Sequence, residues 1–259
     1  MLDIMKAQLY QLRRSRLLYV VFVCVLIMQF TSLIGEMDFM SFVITAGKYV
    51  AENGNVVSLI SLIFTLVLTG EICGADFIDK TTNYELMGGH LRKEVYFSRA
   101  ILSLVVGTIG ALFLNAFPVV IACCFGGWGS DIKFWDVFLR YVLSIFPILR
   151  IICEFVFLSY IIKNAYIVMA GGVLISLAGS GWVELFPEGC PEFTSLGNLS
   201  EIFSFSSWQT YTLVGEKEII VYDASLSTGD VTGTIAASIL IGGLFLLLGY
   251  LYFKKDDMN

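Results

Sequence analysis

The sequence predicts an all-α integral membrane protein of six transmembrane helices, and three observations carry that prediction. Of its 259 residues, 57% are hydrophobic and only 15% charged, where soluble domains average about 25% charged. Mean hydropathy is +0.82. Six apolar runs come close to the roughly 20 residues that cross a hydrocarbon core of roughly 30 Å. The third observation is the spread of Lys and Arg, which alternates in density from one connecting segment to the next. This composition excludes a disordered chain and an ordinary soluble globule. A net charge of -6, a single histidine (His90) and no basic tract exclude nucleic acid as a partner class.

The elements follow in chain order. Residues Met1 to Arg16 place Leu2, Met5, Leu9 and Leu12 at helical spacing among Lys6, Arg13, Arg14 and Arg16. That pattern predicts an amphipathic helix lying on the inner membrane surface. The apolar run 17–34 exceeds the usual signal-peptide core of about 7–15 residues and lacks a small-x-small cleavage site, so it reads as an uncleaved first span. Further spans are expected at 56–75, 100–125, 137–162, 165–183 and 234–253. Pro118 and Pro147 fall inside the third and fourth, where neighbouring helices can satisfy the freed carbonyls. The cysteines (Cys24, Cys73, Cys123, Cys124, Cys153, Cys190) form neither a disulfide framework nor a metal-ligand spacing.

Placing the N-terminus in the cytoplasm puts eleven Lys and Arg inside: Lys6, Arg13, Arg14, Arg16, Lys80, Arg92, Lys93, Arg99, Lys163, Lys254 and Lys255. Four fall outside (Lys48, Lys133, Arg140, Lys217), and Arg150 lies within a span. Both termini are therefore expected to be cytoplasmic. The whole chain reads as one transmembrane domain with two longer connections. One is a cytoplasmic segment over residues 76–99. The other is an external loop, 184–233, with an amphipathic stretch near Leu199 to Leu213. The external loop carries eight acidic residues against Lys217 alone. External loops avoid Lys and Arg in any case, and the alternative is a field that attracts cationic peptides.

Several chemistries are missing. GxxxxGK[ST] is absent, so the chain has no phosphate cradle of its own. One loop histidine cannot furnish the paired ligands of an intramembrane protease. No catalytic, cofactor-binding or metal-binding residue is assigned, and no enzymatic activity is expected.

Three groups of residues remain as candidates. Between the second and third spans, Thr82 and Glu85 have the spacing of a capping box, and Gly88-Gly89 ends the short helix they would begin. The segment is either an ordinary interfacial loop or a compact knob facing the cytoplasm. Arg150 and Glu154, four residues apart inside the fourth span, can neutralise one another. They form either a structural pair or a polar spot on a substrate path or subunit interface. Gly172, Ser176 and Ser180 repeat every four residues in the fifth span, the small-residue pattern of close helix packing.

The segment from Glu71 to Ile101 resembles the loop between the second and third spans of type-2, exporter-class ABC transporter permeases. The matching positions are Glu71, Phe77, Lys80, Thr81, Thr82, Leu86, Gly88, Arg92, Tyr96, Ser98 and Arg99, without the glycine that commonly precedes the threonine. The six-span layout, the N-terminal helix and the long loop before the last span extend the resemblance over nearly the whole chain. It implies a half-size permease in a bacterial cell membrane, paired with a second permease chain, identical or homologous. Two copies of a separate ATP-binding subunit would bind ATP and Mg. A coupling helix would meet that ATPase through Thr82, Tyr84, Glu85, Leu86 and Met87. Within the class, size and loop pattern are nearest to bacteriocin or lantibiotic export and immunity permeases, which implies export of a peptide or amphiphile. The alternatives are a non-transporting immunity or sensor protein and a secondary transporter, the latter disfavoured by the lack of matched broken helices.

Overall fold

The computed structural model describes residues 1–35, 45–79, 81–129, 132–184, 194–211, 218–223 and 226–255. The side chains of residues 55, 179–184, 206–211, 218–221 and 223 lie outside that description. The described chain is a helical bundle with one two-stranded hairpin. Five helical segments are long and apolar enough to cross a membrane: Arg16–Gly35, Val56–Ile78, Arg92–Gly126, Phe134–Ile162 and Thr228–Lys255. The chain is accordingly a multi-pass membrane protein. The remaining expected span, 165–183, falls within a helix over Ala165–Glu184, of which Ala165–Ala178 is a shorter apolar stretch.

Helix α1 (Leu2–Arg14) buries Ile4, Gln8 and Leu12, one residue per turn. Of the stripe expected from sequence, Leu12 turns inward, whereas Leu2 and Leu9 are exposed on the other side. The helix therefore presents one face to protein and another to its surroundings. Ser15, extended at ψ 114°, separates it from α2 (Arg16–Gly35). Most of α2 is exposed, as befits a helix in lipid, and two of its polar side chains, Gln29 and Ser32, face inward. Gln29 donates to the Leu114 carbonyl at 2.6 Å, and Ser32 to Asn53 at 2.6 Å.

A short helix α3 (Ala46–Glu52) leads into α4 (Gly54–Thr69), the most buried rod of the bundle. A π-helical turn (Gly70–Gly74) and α5 (Ala75–Ile78) continue it. The glycines explain where the rod widens. A Cβ on Gly74 would lie 2.8 Å from the Ala165 Cα, so only glycine admits the later helix at that depth. A short helix, α6 (Thr81–Met87), then precedes α7 (Arg92–Gly126) and α8 (Phe134–Ile162). The reversal after α8 takes two residues. Lys163 adopts φ 55°, and the Asn164 side chain accepts from the amides of Tyr166 and Ile167, capping α9 (Ala165–Glu184).

The segment expected as an external soluble loop departs most from expectation. Helix α10 (Ser195–Ile202) starts four residues before the predicted stretch, because Thr194 caps it by accepting from the Gly197 amide. Leu196, Leu199, Ile202 and Phe203 are buried among α4, α8 and α9. The later part of the expected amphipathic stretch is strand β1 (Ser206–Tyr211), paired antiparallel with β2 (Glu218–Asp223). Ile219, Ile220 and Val221 form a β-branched run that favours a strand. The all-α expectation thus describes the bundle and misses this hairpin. Helix α11 (Thr228–Lys255) closes the chain against α8. Ser98 donates to the Met1 carbonyl, and Arg92 to those of Phe253 and Lys254. Both ends of the described chain therefore lie at one end of the bundle, called basal below. Helix α10 sits toward the other.

Candidate functional site

At the basal end, four elements meet around one side chain. Arg99, near the start of α7, is 0% exposed. Its Nη2 lies 2.8 Å from the Asp76 carboxylate of α5 and 2.8 Å from the Glu85 carboxylate of α6. Its Nη1 donates to the Thr82 hydroxyl at 2.6 Å. Asp76 in turn accepts from Gln8 of α1 and from the Thr81 hydroxyl at 3.1 Å. A buried charge is tolerated only when it is paired and hydrogen-bonded, and this one is both. Arginine suits the place because its planar fork stays charged and reaches several partners at once.

Two carboxylates share the one guanidinium. Glu85 is the less enclosed of them, and burial raises its carboxyl above the ordinary range while Arg99 opposes that shift. The π-helical turn next to the cluster carries Glu71, which accepts from Ser15 at 2.9 Å. The joint between α1 and α2 is thereby tied to the same end of α4.

An aromatic layer lies beside the ionic one. Phe77 meets Tyr160 edge-on at 5.4 Å, Tyr160 meets Phe253 at 4.9 Å, and Tyr96 stacks on Phe253 at 6.2 Å. The Tyr96 hydroxyl donates to the Leu246 carbonyl at 2.8 Å. A Cβ on Gly249 would stand 2.6 Å from that hydroxyl, so glycine is what lets α11 approach α7 here. Helix α6 is therefore connected through Arg99 to α5 and α1, and through α7 to α11.

The outward side of α6 is exposed among the described residues. Tyr84 is 69% exposed and Met87 84%. Of the five residues singled out from sequence on this helix, Thr82 and Glu85 face Arg99 and hold the helix down. Tyr84 and Met87 point away from the protein, and Leu86 is half-buried against the core. The Gly88-Gly89 break is a helix ending, with Gly89 at φ 90° and its amide on the Leu86 carbonyl at 3.1 Å. Lys80 lies outside the described residues.

The pair inside α8 is formed as the spacing expects, with Arg150 Nε 3.1 Å from Glu154 Oε1. The same oxygen accepts from Ser195 at the start of α10. A cavity of about 290 Å³ opens there between α9 and α11. Gly172 is buried, and a Cβ on it would stand 2.5 Å from Leu66 Cδ1, so its close approach is to α4 of its own chain. Ser176 lines the cavity beside Glu154. The Ser180 side chain lies outside the described residues.

Sequence reasoning missed Gln8, Asp76 and Arg140 as organising residues. Asp76 and Arg99 were legible as opposite charges flanking the ends of two successive apolar runs. Gln8 gave no signal, being a polar residue in an amphipathic helix. Arg140, counted among external charges, is buried and donates to the Ile202 and Ser204 carbonyls at the end of α10. Its guanidinium also lies 4.2 Å from the Phe205 ring centroid. No protein-family model matches this chain, and neither does any curated protein.

Proposed function

We propose that this chain is the transmembrane permease subunit of an ATP-binding-cassette exporter and that α6 is its coupling helix. The observation that carries the reading is a seven-residue helix fixed underneath by buried Arg99, with Tyr84 and Met87 exposed on its other side. A helix held so firmly to the membrane rods, yet with its outer side chains uncovered by any of the described residues, suits the transfer of force from another protein. The basal end is the cytoplasmic one on the Lys and Arg count, with both termini inside and six spans. Two ATP-binding subunits bind ATP and Mg. They press on α6, and a second permease chain, identical or homologous, completes the pore. Nucleotide-driven closure moves α6, and Arg99 passes that movement to α5, α7 and α1 together. This chain has no catalytic role of its own and expels a peptide or amphiphile from the membrane or cell.

Within this reading the contact set narrows. Tyr84 and Met87 meet the ATPase with Leu86 at their edge, while Thr82 and Glu85 keep the helix in place. A photo-crosslinking residue at position 84 should capture an ATP-binding chain in the native membrane. The same group at Phe113, exposed on a span, should not. Equal capture at both positions, or none at position 84, contradicts the proposal.

A further inference from the structure

We propose that the cleft between α9 and α11 binds an amphiphile with a primary-ammonium, zwitterionic head, the chemistry of an aminophospholipid, and that Glu154 receives the ammonium. Helices α9 and α11 both pack on α8 but scarcely on each other, which leaves a cleft floored by Arg150 and Glu154. Its walls are Ile175, Leu196, Ile241 and Phe245. Outward from it, Leu174, Leu240 and Leu244 are exposed, so the opening faces the surroundings of the spans rather than water. A volume of about 290 Å³ is at the small end of ligand sites. It holds a head and the start of a chain, not a folded peptide.

The polar groups define the head. Glu154 Oε1 takes both the Arg150 and the Ser195 donors. Its Oε2 accepts from nothing among the described residues, although the side chain is 23% exposed toward the cleft. An unengaged carboxylate oxygen at membrane depth calls for a donor. The Ser176 hydroxyl has no hydrogen bond among the described residues. Thr194 uses its oxygen to accept from Gly197 and keeps its proton to give. Donors and an acceptor thus line one cleft. Arg150 and Glu154 already cancel, so a ligand with net charge would leave that charge unbalanced in the membrane. A zwitterion does not: its ammonium meets Glu154, and its anion meets the two hydroxyls.

Glu154 stands eight residues from the basal end of α8, about 12 Å at 1.5 Å per residue. Counted from the end of the expected fourth span at residue 162, that depth is inside the hydrocarbon layer, below the plane where resting headgroups lie. A head bound there is therefore in passage. That last step rests on the export reading, whereas the binding itself does not require an ATPase.

The test is native mass spectrometry of the full chain with defined phosphatidylethanolamine or phosphatidylcholine added. The two share a phosphate and differ in whether the nitrogen can donate. The chain should retain phosphatidylethanolamine at least about tenfold better, the equivalent of one hydrogen bond to a charged group. Ile241→Trp, which fills the cleft and leaves the ion pair alone, should abolish that preference. Leu240→Trp on the exposed side of the same helix should keep it. Equal retention of the two lipids by the wild type, or an unchanged preference in Ile241→Trp, overturns the proposal. Either result leaves the α6 reading standing.

Discussion

Two short helices at opposite ends of the bundle, α6 and α10, differ by one residue in length and are held in opposite ways. Helix α10 is fixed by apolar burial: Leu196, Leu199 and Ile202 sink among α4, α8 and α9, and Arg140 closes its end by donating to carbonyls. Helix α6 buries only Thr82 fully and depends on ions, with Arg99 between Asp76 and Glu85. A helix held by burial has spent its apolar face and is part of the core. A helix held by a few directed bonds keeps its outer face for something else. The contrast is why α10 reads as structure and α6 as a contact.

The strongest way to break that contrast is to remove its centre. Arg99→Met leaves two carboxylates buried without a cation, and breaking a buried pair in this way costs about 3–5 kcal/mol. Thermal unfolding in detergent should show a large loss. A change below about 1 kcal/mol would mean that α6 is not held by ions at all.

The next largest effect concerns α10. A Cβ on Gly54 would stand 2.1 Å from the Phe203 carbonyl oxygen, which is backbone and cannot swing away. Gly54→Ala should therefore displace the end of α10 and cost about 1–3 kcal/mol as overpacking. Chemical labelling at Tyr84 should not change. Altered labelling there would show the two ends to be coupled rather than independently held.

The smallest effect is a pH dependence. Burial raises the Glu85 carboxyl, so the folded chain holds that proton more readily than the unfolded one. The stability from this group is present below the unfolded pKa and is lost as pH rises through the folded one. Glu85→Gln removes the titration. The wild type should lose melting temperature relative to the variant as pH rises from about 4 to about 8. A wild type that melts higher at the alkaline end would show that pairing with Arg99 outweighs desolvation.

Much of the bundle was legible because apolar runs of span length leave little choice of structure. The helix boundaries differ from the runs where helices continue into polar sequence. Helix α7 begins at Arg92, eight residues before the expected span, and α11 at Thr228, six before. Hydropathy reports where lipid lies, not where backbone hydrogen bonds stop. The start and the burial of helix α10 were missed because its polar residues Ser195 and Asn198 disguise a buried helix. Their partners, Glu154 and Thr234, are distant in sequence. At the basal site, Thr82 and Glu85 were recognisable as a helix start. Their orientation toward Arg99 was not, since local spacing cannot reveal a partner 14 to 17 residues away.

The central claim is that the exposed face of α6 receives an ATP-binding subunit, and copurification of the full chain with that subunit tests it most directly. The wild type should bring down one ATP-binding chain per permease chain. The double variant Tyr84→Ala, Met87→Ala removes only exposed side chains, so it should melt as the wild type does and lose that partner by at least about tenfold. Retention of the ATP-binding chain by the double variant, or its absence from the wild type, would contradict the account.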